Sequence, residues 1–101
     1  MTILSRSFIE EVKTKIAKEY NVDRIELVGS YRRNQAKETS DVDFLILESD
    51  GLKARNFLKM IDQLEKELGK PVGLVTIRGL SEDPMKQKVL QSMLKDIEDY
   101  E

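Results

Sequence analysis

Apolar residues in the first twenty positions recur at helical spacing. Leu4, Phe8, Ile9, Val12, Ile16 and Tyr20 fall on one side of a 3.6-residue repeat, which predicts an amphipathic helix over about residues 5–20 facing a core. Ser7 and Glu10 have capping-box spacing, with Thr2 or Ser5 as earlier starts. Glu11 and Lys15 are spaced for an exposed i,i+4 pair, and Asn21 ends the helix. The period then changes. Ile25-Glu26-Leu27-Val28 reads as a short buried strand running into Gly29-Ser30. The polar, basic stretch from Tyr31 to Ala36 can form a short helix, and Asp41-Val42-Asp43-Phe44-Leu45-Ile46-Leu47 reads as a second strand.

Glu48-Ser49-Asp50-Gly51 is a turn signal, followed by a second amphipathic helix with Ala54, Phe57, Leu58, Ile61, Leu64 and Leu68 on one face. Gly69 suits its C-cap and Pro71 prevents continuation. Val72-Gly73-Leu74-Val75-Thr76-Ile77 is the third strand. A last helix starts near Asp83-Pro84, with Met85, Val89, Leu90, Met93, Leu94 and Ile97 as its apolar stripe. The order is α-β-α-β-α-β-α. A long helix between strands two and three calls for a crossover, so the expected class is α/β (α+β): a small mixed three-stranded sheet packed with helices, one domain over residues 1–101.

Composition removes several kinds of chemistry. With no cysteine there is no thiol nucleophile, disulfide or thiolate zinc site, and with no histidine there is no Ser-His-Asp triad. Carboxylates, hydroxyls, lysine and arginine remain, the toolkit of a magnesium enzyme. A net charge of −2 disfavours a nucleic-acid binder that works through bulk positive charge. No apolar run approaches a membrane span and the N-terminus lacks a signal peptide's apolar block, so the expected location is cytoplasmic.

The candidate chemistry lies between Gly29 and Leu47. Side chains alternate across a strand, so Asp41 and Asp43 share one face while Val42, Phe44 and Ile46 take the other. Paired carboxylates repel unless a cation or proton lies between them, and magnesium is commonly shared between one or two carboxylates and substrate phosphates. Gly29-Ser30, at a strand-to-helix junction, lets the backbone approach a phosphate, with Arg32 and Arg33 adding charge. Taken singly, Asp-x-Asp also fits a calcium-loop fragment or a polar strand entrance, and Gly-Ser is a common turn.

Gly29-Ser30, ten residues, then Asp41-Val42-Asp43 and an apolar strand together resemble the signature of the DNA polymerase beta-type nucleotidyltransferases. At this length the chain resembles their minimal nucleotidyltransferase members, which often act as antitoxin partners of HEPN-domain toxins. The resemblance implies a nucleotidyltransferase fold and transfer of a nucleoside monophosphate, AMP from ATP, to a hydroxyl. A tyrosine of a HEPN toxin encoded nearby would be the acceptor. It implies that Asp41 and Asp43 bind two magnesium ions. It places Gly29, Ser30, Arg33 and Ser40 at the triphosphate.

The chain departs from this pattern at one telling position. The family places a third carboxylate on the third strand, in a Val-Asp-Leu-Val-type run; here the run is Val72-Gly73-Leu74-Val75. Glycine can neither bind the metal nor serve as base, and losing a general base costs ~10²–10⁴-fold in rate. Four accounts stand: a naturally degenerate site, an introduced substitution, another carboxylate filling in (Asp50, Glu48, Glu82 or Asp83), or a shifted register. Asn34 stands where the family commonly has glycine, and Arg32 is either extra charge or a solvated helix face. Asp96, Glu98, Asp99 and Glu101 load a helix C-terminus with negative charge, which is unfavourable unless the end frays or a basic surface covers it. Tyr31 and Tyr100 fit half-buried packing better than ligand contact. The alternative to an enzyme is a binding subunit that neutralises its partner by one-to-one contact.

Overall fold

The computed structural model describes residues 2–49 and 51–101. In chain order the elements are α1 (Arg6–Glu19), β1 (Arg24–Val28), α2 (Gly29–Arg32), β2 (Val42–Glu48), α3 (Ala54–Leu68), β3 (Val72–Thr76), α4 (Ile77–Ser81), a 3₁₀ turn (Pro84–Lys86) and α5 (Gln87–Asp99). The sheet order is β1-β2-β3, with β1 antiparallel and β3 parallel to β2. The parallel pair is joined by the expected crossover through α3, giving the mixed α/β sheet that the sequence predicts.

Alternation along the strands divides the interior into two layers. Leu27, Phe44 and Ile46 pack with Ile9, Val12 and Ile16 of α1 and with Met60 and Leu64 of α3. Val28 and Leu45 project the other way, onto Leu80 of α4 and Leu90 of α5. Asp43 shares the parity of Leu45, so its carboxylate is delivered to the α5 side of the sheet.

Several local readings are corrected. Ser5, rather than Ser7, caps α1: its hydroxyl accepts from the Phe8 N–H at 3.3 Å. Phe8 is 39% exposed and the fourth buried position of α1 is Ala17. Lys15 pairs with Glu67 of α3 instead of Glu11, and Lys13 with Glu10. On α3 the inward face is set by Met60, Leu64 and Leu68, while Leu58 points to solvent. Met85, Val89 and Leu94 of the last apolar stripe are likewise exposed, leaving Leu90 buried with Met93 and Ile97 beside it. The third strand stops at Thr76, whose hydroxyl accepts from the Gly79 N–H at 3.0 Å and starts the short α4 at Ile77.

The acidic end of α5 is tied back to the fold by two arginines of this chain. Arg32, 5% exposed, donates from Nε to the Tyr100 carbonyl at 2.8 Å and from Nη2 to that of Ile97 at 3.0 Å. Its Nη1 donates to the Leu27 carbonyl at 3.0 Å. Arg6 adds a second donor to the Tyr100 carbonyl at 2.9 Å. The two guanidinium groups satisfy carbonyls that a helix end leaves open and offset its partial negative charge. Arg32 is therefore neither a solvated residue nor a phosphate ligand. Tyr31 is buried, and its hydroxyl accepts from the Leu4 N–H at 3.4 Å.

Candidate active site

The site is built where β1 ends and β2 and β3 begin. Antiparallel pairing sets Val28 opposite Asp43, and parallel pairing sets Gly73 on Asp43's other side. The chain leaves β1 through Gly29 at φ +77°, a left-handed conformation that side chains rarely adopt. A Cβ there would also come within 2.7 Å of Asp43 Oδ2. At residue 73 a Cβ would come within 2.5 Å of Asp43 Oδ1. The Asp43 carboxylate thus leans over two glycines, one on each neighbouring strand end. Asn34 adopts φ +58°, which explains why glycine suits that position and why asparagine, tolerant of the same region, can replace it.

A pocket of about 320 Å³ opens over this carboxylate, lined by Gly29, Arg33 and Asp43 on one side and by Lys88, Ser92, Met93 and Asp96 of α5 on the other. A larger cleft of about 940 Å³ lies at the other end of the sheet, among Asp23, Glu48, Thr76 and Arg78. It is lined by neither Asp43 nor Gly29, which line the smaller one, so chemistry rather than size makes the smaller pocket the candidate site.

Burial pushes the Asp43 carboxyl above its ordinary pKa, the negative charge of Asp41 adds to this, and Arg33 offsets part of it. A half-buried carboxylate next to an exposed one is an arrangement that a cation would relieve. The oxygen donors of Asp41 and Asp43 fit one hard ion shared with a ligand's phosphates. Among the described residues no group of three acidic side chains gathers for a fuller metal site. Glu48 lies at the far end of β2, Glu82 pairs with Arg78 at 3.3 Å, and Asp83 caps the 3₁₀ turn. None of these three replaces the carboxylate missing at residue 73, and Asp50 lies outside the described residues.

Two expected phosphate donors are engaged inside the protein. The Gly29 N–H donates to Asp96 Oδ2 at 2.9 Å, and Arg33 Nη1 donates to the same oxygen at 2.9 Å. Ser40 Oγ accepts from the Lys37 N–H at 2.8 Å, closing the turn before β2. Ser30 is half-buried beside Gly29. The α5 wall was missed as part of the site. Its signal is a polar row, Lys88, Ser92 and Asp96, repeating every four residues alongside the apolar stripe.

The chain belongs to the nucleotidyltransferase domain family, whose model matches residues 6–97 and so spans the glycine turn, the paired aspartates and most of α5. It is 31% identical over 101 residues to the protein adenylyltransferase MntA of Thermococcus cleftensis, covering 96% of this chain and 97% of that one. It is 36% identical over 75 residues to a candidate protein adenylyltransferase of Methanocaldococcus jannaschii, covering 71% and 81% of the two chains. Among solved structures, a candidate minimal nucleotidyltransferase superposes with a TM-score of 0.70 at 28% identity, over 89% of this chain and 86% of that one. A complex of a tri-AMPylated HEPN toxin of Shewanella oneidensis with its MNT antitoxin matches with a TM-score of 0.53. At 18% identity, over 96% of this chain and 87% of that one, this last likeness concerns the fold.

Proposed function

We propose that this chain transfers the adenylyl group of ATP to a hydroxyl of a partner protein, a tyrosine of a HEPN toxin, and so acts as an antitoxin. The observation that carries the reading is the placement of Asp43 and Arg33 in one pocket, with Asp41 and the Gly29-Ser30 turn beside Asp43. It draws support from the adenylyltransferase names of relatives that match across most of the chain, and from the fold shared with an antitoxin in complex with its AMPylated toxin.

Asp41 and Asp43 would hold magnesium, which when bound supplies positive charge against the phosphates. The protein's own part is positional. Ser30 and the N–H donors of Arg33 left over from Asp96 orient the triphosphate, and the α5 wall limits water on that side. The acceptor oxygen attacks the α-phosphorus, forming one P–O bond as the bond to the β-phosphate oxygen breaks. Pyrophosphate leaves, and the acceptor proton goes to solvent. With glycine at residue 73, no side chain on β3 stands ready to take it.

That glycine also favours a second reading, in which the chain neutralises its partner by one-to-one binding and nucleotide has only a modulating role. The test incubates the chain with labelled ATP, magnesium and the partner. Asp41→Ala and Asp43→Ala are expected to abolish both magnesium-dependent ATP binding and label transfer. Unchanged binding in both variants removes the site assignment. Inhibition of the toxin that tracks complex formation without label favours the second reading.

A further inference from the structure

Asp96 is a buried carboxylate that the packing of α5 does not require. It is 5% exposed, on a helix whose other inward positions are apolar, and burying a carboxylate is costly unless it is paired. The other buried charged groups have structural partners: Arg32 holds the end of α5, and Lys70 donates to the Glu38 carbonyl at 2.8 Å. Asp96 instead places one oxygen between the Gly29 N–H and Arg33 Nη1, both at 2.9 Å. Arg33 sits at the C-cap of α2, just before the left-handed Asn34, so no continuing helix fixes its direction. Its side chain is 34% exposed, and its only hydrogen bond among the described residues is to Asp96. A guanidinium has five donors in a rigid fork, so fixing one edge aims the rest. Arg33 and Asp43 line the same pocket, and the side-chain N–H groups of Arg33 not bound to Asp96 have no other acceptor among the described residues.

We propose that Asp96 is a positioning residue: by gripping Arg33 and the Gly29 amide from α5, it aims the free edge of Arg33 at the anionic oxygens of a bound nucleoside triphosphate. This rests on the nucleotide reading above. The opposite role is also chemically defined. A carboxylate on these donors would compete with phosphate, and its removal would then tighten binding.

The experiment titrates ATP with magnesium into the full chain and into Asp96→Ala, Asp96→Glu, Arg33→Ala and the Asp96→Ala/Arg33→Ala pair, with a melting curve for each. Asp96→Ala is expected to weaken ATP binding by about 10–100-fold, the range seen when the hydrogen-bond partner that orients a metal-ligating side chain is removed. In the Arg33→Ala background the same change is expected to add little, because the two act as one unit. Asp96→Glu keeps the charge but moves the oxygen, and is expected to weaken ATP binding in the same titration while the fold melts as before. If Asp96→Ala does not fold, Asp96→Glu carries the test alone. Equal or tighter ATP binding by a folded Asp96 variant overturns the proposal, as does a full additional loss in the Arg33→Ala background. A wild-type chain that binds no ATP overturns the nucleotide reading and this role together; wild-type binding with an unaffected Asp96→Glu overturns the role alone.

Discussion

Asp43 and Gly73 are partners across the parallel strand pair, and the space a side chain at residue 73 would enter is already approached by Asp43 Oδ1. Gly73→Asp therefore requires Asp43 to turn aside. The atom to be moved is the end of a side chain, so this is a local adjustment. If the proposed transfer reaction is limited by a missing base, Gly73→Asp raises its rate by ~10²–10⁴-fold. Gly73→Ala imposes the same crowding without a carboxylate and gives no gain. A labelled-ATP transfer assay on the two variants checks this.

The raised pKa of Asp43 carries a sign for stability. A carboxyl that binds its proton more tightly when folded destabilises the fold while it is ionised. That penalty fades as pH falls through the folded pKa towards the unfolded value of about 3.9. Asp43→Asn is thus expected to melt at a higher temperature than wild type at pH 7, with the gap closing as pH is lowered. Magnesium should raise the melting temperature of the wild type and leave that of Asp43→Asn unchanged. Thermal scans from pH 7 to 4, with and without magnesium, read both effects.

Arg32 offers a mutation that tests the fold away from the chemistry. Arg32→Met fills some of the same volume but removes the side-chain donor to the carbonyls of Leu27 and Ile97 and leaves that of Tyr100 to Arg6 alone, at a cost of about 1–3 kcal/mol for each group left buried without a partner. Arg32→Lys keeps the charge without the fork and recovers only part of it. Denaturant titration gives the totals, and amide exchange should show the last turn of α5 opening first.

On α3, Met60→Ala is expected to cost about 2–5 kcal/mol, because Met60 is fully buried between helix and sheet. Leu58→Ala should change stability by roughly 0.5 kcal/mol or less, since Leu58 is 65% exposed. The same denaturant measurement separates them.

The contrast at α3 shows what the sequence could reveal. The strands were legible because their apolar runs are short, β-branched and bounded by turn residues, and the Asp43–Gly73 pairing follows once those runs are aligned. On α3, Phe57, Ile61, Leu64 and Leu68 are compatible with either Leu58 or Met60 completing the face, and only the direction of sheet packing decides. Arg32 and Asp96 were illegible for a different reason. Each is a charged residue whose burial depends on groups more than 60 positions away, and local spacing defaults such residues to solvent. The five-residue α4 was hidden because Ile77 continues the apolar run of β3.

The pocket's second wall belongs to α5, which follows all three strands along the chain, and the end of that helix is fastened by Arg6 and Arg32 across 94 and 68 positions. A chain emerging from the ribosome completes the Gly-Ser turn, the aspartate pair and all three strands before α5 exists. The pocket over Asp43 is therefore completed only after all three strands, and a nascent chain still lacking α5 would carry every motif residue without the pocket's second wall.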